Sequence, residues 1–268
     1  MAAKPKRKQF DIPNLAIAAV VVILVIVLLV ILFKPVRVEK VTVTYSGIAA
    51  QKAQNDGFSD IDFIRISGVT NRKMSEMNEW RISARDGIAS LGGYELDGIN
   101  KTSRTGVELV ISARVPMAVI STGAGYLTID SEQYIVEKKS TYTKGTYILI
   151  NGVNLRNTTV GQIARDYSTD GRLENAMKVL KIIYMGSWQN YFTDIYMADN
   201  KEVWLFSVYN IPVKLSLWYE DTMEKDIAAS VQVLIEKGSQ KASGEIIAVN
   251  GNVYWDEDDD DFQLIKGK

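Results

Sequence analysis

The stretch GVELVISARVPMAVI, residues 106–120, decides how this chain is divided. Its first part, residues 107–114, is rich in β-branched and apolar side chains, a composition typical of a strand. Pro116 interrupts this pattern, and residues 117–121 begin a second apolar run. Since proline is one of the strongest local breaks in a structural pattern, we place a domain boundary between residues 115 and 116.

On the N-terminal side of this boundary, the pattern predicts a small α+β unit over residues 34–115. Residues 36–45 alternate as a strand does, and residues 94–100 form a further strand before 107–114. Residues 75–91 have helical spacing. We expect the three strands to form one sheet, with the helix packed on one face through Trp80, Ile82, Ile88 and Leu91.

On the C-terminal side, the sequence predicts a larger mixed domain over residues 116–255. Seven short strands are predicted before the end of this domain, at 117–121, 126–129, 134–137, 147–150, 192–197, 202–208 and 213–218. Two amphipathic helices are predicted at 172–184 and 223–237, with Asp170 capping the first, and Gly186 and Gly238 just beyond their respective ends. Residues 245–249 and 252–255 should form a hairpin, because Asn250-Gly251 suits a type I′ turn.

The N-terminus carries a long apolar segment, LAIAAVVVILVIVLLVILF, at residues 15–33. A helix of this length spans about 28 Å, close to the thickness of a bilayer core. The sequence therefore predicts a single transmembrane helix at 15–33 that contacts the lipid bilayer. The basic residues of the tail at 1–14 favour a cytoplasmic N-terminus, with the chain from residue 34 onward outside the cell membrane.

Composition excludes several kinds of chemistry. Among the 268 residues there is no cysteine and no histidine, and the formal net charge is −1. Disulfides, Cys/His zinc sites, thiolate nucleophiles and histidine-dependent triads are therefore excluded. A net charge near zero gives no general attraction to nucleic acid, and we expect no nucleic-acid partner and no cofactor.

Four stretches follow one another along the chain: GVELVISARVPMAVI at 106–120, YLTIDSEQYIV at 126–136, ILINGV at 148–153 and GEIIAVNGNVYW at 244–255. In this order they resemble motifs of the FtsQ/DivIB family of bacterial division proteins. The stretch 106–120 resembles the family's crossing between domains, with Arg114 and Pro116 at the matching positions and Ala113 in place of the usual glutamate. YLTIDSEQYIV, residues 126–136, resembles a family hairpin, with Gln133 where glycine is common. GEIIAVNGNVYW, residues 244–255, resembles the closing strand.

This resemblance implies an α+β fold with a single transmembrane helix, a POTRA-like β-α-β-β domain and a mixed, mostly antiparallel β domain with flanking helices. It implies a non-catalytic, membrane-anchored scaffold at the division septum, with FtsB/DivIC-like and FtsL-like single-pass proteins as partners. In the family, the closing strand receives a partner segment as an added strand. The matching residues are Gly244, Glu245, Ile246, Ile247, Ala248, Val249, Asn250, Gly251, Asn252, Val253, Tyr254 and Trp255.

General physics agrees with that placement, because the last strand of a chain is often at the edge of its sheet, where unpaired N–H and C=O groups can bind a peptide. An ordinary core strand is the alternative. We expect Val249→Pro to disturb this edge. The residues that follow, DEDDDD within an acidic segment at 256–268, are typical of a disordered, solvated tail that favours a basic partner.

A membrane-anchored glycan-binding protein or cell-wall hydrolase is the alternative function. Paired carboxylates could act as a glycosidase acid and base, and the candidates by residue type are Asp199, Glu202, Glu220 and Asp221. Their predicted positions at turns and at a helix start are also usual for structural acids. The aromatic residues between 188 and 219 are either packed against the sheet or part of a binding surface for a partner or a sugar.

Overall fold

Two separate sheets divide the described part of the chain into a smaller and a larger domain. The computed structural model describes residues 12–32, 34–167 and 171–257. The first elements are α1 (Ile12–Leu32), β1 (Lys40–Tyr45), α2 (Ala49–Asp56), α3 (Asp60–Ser67), α4 (Met77–Ala89), β2 (Tyr94–Lys101) and β3 (Gly106–Ala113). The second sheet and its helices comprise β4 (Ala118–Thr122), β5 (Gly125–Ile129), β6 (Ile135–Lys139), β7 (Ile148–Asn151), α5 (Arg172–Met185), β8 (Phe192–Met197), β9 (Glu202–Ser207), β10 (Pro212–Ser216), α6 (Met223–Gln240), β11 (Glu245–Val249) and β12 (Asn252–Asp256).

The small domain contains the three-stranded sheet that the sequence predicts. Its strand order is β1-β3-β2, with β1 parallel and β2 antiparallel to the central strand. Phe63 of α3 is at the centre of its core, fully buried, with ring centroids 5.8 Å from Tyr45 and 5.1 Å from Tyr94. These aromatic contacts join helix α3 to both edge strands of the sheet.

Helices α2 and α3 occupy a region to which the sequence analysis assigns no structure. Asp62 accepts hydrogen bonds from the Ser59 backbone N–H at 3.0 Å and from the Ser59 hydroxyl at 2.6 Å, which fixes the start of α3. Gly57 and Gly68 end the two helices with positive φ angles of 78° and 61°. The order of this domain is therefore β-α-α-α-β-β. The serine, the acid three residues later and the two glycines are the local signals for these helices.

One predicted core position of the small domain is wrong. Helix α4 follows a short 3-10 turn at Met74–Glu76 and buries Trp80 and Ile88, as its spacing predicts. Ile82, however, is 68% exposed. It lies two residues after Trp80, which places it about 200° around the helix from the buried side.

The large domain is built on one mixed sheet of nine strands. Its order is β12-β11-β10-β9-β8-β7-β4-β5-β6. Five of the eight strand contacts are antiparallel and three are parallel. The buried sides of α5 and α6 share one hydrophobic cluster with alternate residues of these strands. The predicted mixed, mostly antiparallel sheet with flanking helices is therefore observed, and each predicted strand from 117 to 218 lies within two residues of an observed one.

The prediction of a transmembrane helix at 15–33 is corrected. A helix is present at Ile12–Leu32. Within the described residues, however, no helix combines the length and the apolar character that crossing a bilayer requires.

The two domains are joined through the buried side chain of Arg114, which follows β3. Its guanidinium pairs with Asp130 of the large domain and lies 3.4 Å from a carboxylate oxygen of Glu95 in the small domain. The Tyr134 ring lies beneath it, with its centroid 3.7 Å from the guanidinium carbon. The predicted boundary at 115/116 therefore lies one residue beyond Arg114, the residue that holds the domains together.

The predicted ends of the two large-domain helices have different outcomes. Gly186 is the C-cap of α5, as expected. Asp170, predicted to cap the start of α5, lies outside the described residues, as do the tails at 1–11 and 258–268. Gly238 does not end α6, which continues to Gln240 and stops where Lys241 adopts a φ of 52°. A Cβ at residue 238 would lie 2.5 Å from the nearest ring atom of Tyr209, so this glycine serves close packing.

Candidate partner-binding edge

The predicted hairpin is present at the C-terminal end of the large sheet. β11 and β12 pair antiparallel, with Val249 opposite Asn252 across the two-residue turn. The turn residues Asn250 and Gly251 have φ angles of 51° and 77°. Both values are positive, as a type I′ turn requires, and this is the conformation that asparagine and glycine accept most readily. The turn chemistry read from the sequence therefore sets the register of this hairpin.

β12 is an edge strand of the nine-stranded sheet. In a hairpin with a two-residue turn, the residues flanking the turn bond to each other, and bonded and non-bonded pairs then alternate along the ladder. Asn252, Tyr254 and Asp256 therefore direct their backbone groups toward β11. The backbone N–H and C=O groups of Val253 and Trp255 point away from the sheet, where an added strand would bind them.

Helix α6 holds the turn of the hairpin through Asp226, a carboxylate that is 1% exposed. One of its oxygens accepts the backbone N–H of Gly251 at 2.7 Å, and the other accepts the Thr222 hydroxyl at 3.0 Å. A charged acceptor makes such a bond stronger than one between neutral groups. The edge strand is thus fixed to the helix through the turn that precedes it.

The far end of the hairpin depends on the close approach of Gly244 to β12. Its φ of 145° is one that other residues rarely adopt, and a Cβ there would collide with the Asp256 carbonyl and lie 2.7 Å from the Trp255 ring. The ammonium of Lys237 in α6 lies 4.9 Å from the centroid of the same Trp255 ring. Glycine, tryptophan and lysine therefore pack together where the edge meets the helix.

The two faces of the hairpin differ in exposure. Ile246 and Ala248 are buried on the side of α6, and Val253 and Trp255 opposite them pack partly buried against the same cluster. On the other face, Tyr254 is 55% exposed opposite Ile247. A strand added beside β12 would contact the apolar side chains of Val253 and Trp255 on the side of α6. On the other side it would lie beside the exposed Tyr254.

The structure brings the twelve predicted partner-site residues together, but only the β12 part lies at the edge. β11 is enclosed between β10 and β12, so Val249 is not an edge residue. Its backbone N–H faces β12, because residues 249 and 252 flank the turn. Val249→Pro would therefore break the hairpin itself, and the sequence-based choice of this variant is wrong.

Two positioning residues were missed from the sequence, Asp226 and Lys237, both on α6. An acid in the first turn and a base in the last turn of a helix are common for electrostatic reasons. Their spacing in the sequence therefore gives no indication that they contact the hairpin. Only the packing of α6 along β11 and β12 reveals it.

Three of the four acids considered for catalysis, all except Asp221, are engaged in local structure. Asp199 accepts the backbone N–H groups of Lys201 and Glu202 at 2.7 and 2.9 Å, which closes the β8–β9 turn. Glu202 accepts the Trp204 indole N–H at 2.8 Å. Glu220 pairs with Lys178 at 3.0 Å. Across the described residues, no group of three or more acidic side chains is placed to hold a metal ion.

The aromatic residues between 188 and 219 fall into both categories that the sequence left open. Phe192 and Trp204 are buried in the sheet. Trp218 is 66% exposed, with the Lys201 ammonium 4.5 Å from a ring centroid, and Tyr209 and Tyr219 are exposed to a smaller degree. This stretch is therefore neither entirely core nor a single aromatic surface.

No family model matches the chain, and no curated protein matches it at a significant level.

Proposed function

We propose that this chain is a non-catalytic scaffold that binds a short extended segment of a partner protein as an additional strand on β12. The observation that carries the proposal is the edge position of β12, with the backbone groups of Val253 and Trp255 directed away from the sheet. Strand addition obtains affinity from main-chain hydrogen bonds and specificity from pockets for alternate side chains. The partly buried side chains of Val253 and Trp255 beside α6 would supply such side-chain contacts.

The support for a division partner is the resemblance of residues 106–136 and 244–255 to the FtsQ/DivIB family. On that basis we propose FtsB/DivIC-like and FtsL-like proteins as partners. Asp256 and Glu257 carry negative charge at the end of β12, beside the docking edge, and the sequence continues with four aspartates at 258–261. A partner segment with basic residues near one end would be attracted to this site, and its association would weaken as salt is raised.

A proline at residue 253 tests the edge directly. Val253→Pro removes one outward N–H and leaves the bonds between β11 and β12 in place. We expect it to reduce recovery of the FtsB/DivIC-like protein of the same cells at least tenfold, in a crosslinking pull-down quantified by mass spectrometry. Val253→Ala keeps the backbone donor and is the matched control.

The melting temperature of each variant shows whether the fold is kept. A folded Val253→Pro protein that recovers the partner as well as Val253→Ala does would exclude β12 as the docking edge. A fluorescent fusion separates division from the glycan-binding alternative. A ring at mid-cell is expected for a division scaffold, and uniform label would contradict that role.

A further inference from the structure

The two sheets have four edge strands, and they differ in how well they are protected against pairing. In the small sheet the edges are β1 and β2, and in the large sheet they are β6 and β12. β2 is interrupted by a bulge between Leu96 and Gly98. β6 ends in Glu137, Lys138 and Lys139, and its first residue is bonded to the segment at 161–162. Bulges and charged residues are the usual protection of an edge.

Apart from Lys40 at its start, β1 lacks these features. Its residues 41–45 are VTVTY, with no charge, no proline and no glycine. The pairing of β1 with β3 is regular from Lys40 to Tyr45, without a bulge. A regular strand of β-branched residues at an edge is a template for another strand. It is independent of β12, which lies in the other domain.

The direction of the free backbone groups of β1 follows from the bonds at its ends. The Lys40 N–H donates to the Thr105 carbonyl at 3.2 Å, and the Ser46 N–H donates to the Ile111 carbonyl at 2.9 Å. Because backbone direction alternates along a strand, the even-numbered residues between them also face β3. The N–H and C=O groups of Val41, Val43 and Tyr45 therefore point outward.

The segment before β1 limits where another strand can bind. Val38 exchanges backbone hydrogen bonds with the segment at 71–72, both 2.8 Å long. The open edge thus extends from Val41 to Tyr45. Among the described residues, no backbone partner is found for its outward groups.

We infer that the occupant of this edge is β1 of a second copy of the chain, paired antiparallel about a two-fold axis at Val43. In this register Val43 of one copy lies opposite Val43 of the other, and Val41 of each copy lies opposite Tyr45 of the other. The three outward residues then form about six hydrogen bonds between copies. An isologous contact of this kind closes at a dimer, because each edge is used once.

The side chains of β1 suit this symmetric register. On the exposed face Thr42 lies opposite Thr44 of the other copy, and no like charges oppose each other. Lys40 lies opposite Ser46, whose hydroxyl donates to Asp97 at 3.1 Å. The ammonium of one copy therefore approaches a carboxylate of the other. This charge complementarity favours a second copy over an unrelated peptide.

The absence of cysteine from the chain makes a specific crosslinking test possible. Thr42→Cys and Thr44→Cys are prepared as separate full-length proteins with tags of different size, in a mild detergent because α1 exposes apolar side chains. Residues 42 and 44 would form a non-hydrogen-bonded pair with Cα atoms about 4.5 Å apart, within the range of a disulfide.

On mild oxidation, we expect the mixed 42–44 dimer to exceed the 42–42 and 44–44 dimers about tenfold. Ile82→Cys, an exposed position on α4, is the control for random collision. A mixed yield no greater than that of Ile82→Cys, or crosslinks without register preference, would overturn the inference.

A second variant separates β1 pairing from association through any other surface. Val43→Lys places two ammonium groups opposite each other at the two-fold axis, while the long side chain can extend into solvent from its half-buried position. We expect the dimer to be lost in sedimentation velocity, with Ile82→Lys unchanged. The proposal would be contradicted if the dimer persists in Val43→Lys. It would also be contradicted if the parent protein is monomeric both at high concentration and after 100-fold dilution.

Discussion

Asp226 shows at the scale of one residue how a helix can position a binding edge. Asp226→Ala would remove the acceptor of the Gly251 N–H and leave that donor unsatisfied beside α6. We expect a loss of about 1–3 kcal/mol in the free energy of unfolding and faster hydrogen exchange at the Gly251 amide. Asp226→Asn retains an oxygen that can accept the bond, and it should lose less than half as much.

The two isoleucines of α4 give a second residue-scale prediction. Ile88 is fully buried and Ile82 is 68% exposed. Ile88→Asp would place a carboxylate in the core of the small domain, at a cost of about 3 kcal/mol or more. Ile82→Asp should change the free energy of unfolding by no more than about 0.5 kcal/mol. Urea denaturation of both variants measures the difference, and similar losses would contradict the observed orientation of α4.

At the scale of elements, Gly238 decides how α6 packs against the β9–β10 turn. Gly238→Ala improves helix propensity by about 1 kcal/mol but places a methyl group against the Tyr209 ring. Since the contact involves the base of the ring, we expect a net loss of about 1 kcal/mol. The same substitution made in a Tyr209→Ala background should instead stabilise the protein. Thermal unfolding of the four proteins in this cycle provides the test, and a stabilising Gly238→Ala in the parent chain would exclude the packing role.

The sequence predicts most elements of the structure because the signals for them are local. The Asn250-Gly251 turn and the spacing of Leu173, Ala176 and Leu180 in α5 depend only on neighbours along the chain. α2 and α3 were missed, since eight residues give too short a window for a helical period. The end of α6 was misplaced because Gly238 is required by a contact with Tyr209, far away in sequence.

At the scale of the whole molecule, Arg114 joins the two domains. Arg114→Ala would leave Asp130, which is 5% exposed, without its cation. Asp130 would keep the backbone N–H groups of Glu132 and Tyr134. We expect a loss of about 3 kcal/mol in the free energy of unfolding and faster proteolysis near residues 114–117.

Arg85 provides the matched control for this junction. It also binds Glu95, at 3.0 Å, but its side chain is 54% exposed. Arg85→Ala should cost less than about 1 kcal/mol, because an exposed ion pair is screened by water. If urea denaturation shows the two arginine variants to be equally stable, the buried network does not hold the domains together.

By itself, the sequence determined the strands of the small sheet, most strands of the large sheet and the closing hairpin, because turn residues and hydrophobic periodicity act over a few neighbouring residues. Only the tertiary structure decided that β12 and not β11 lies at the edge, that Asp226 holds the turn and that β1 presents a second open edge. Strand order depends on contacts between segments far apart in the chain. The sequence pattern of a strand is similar whether one or two neighbours pair with it, so its partners are decided only when the sheet is assembled.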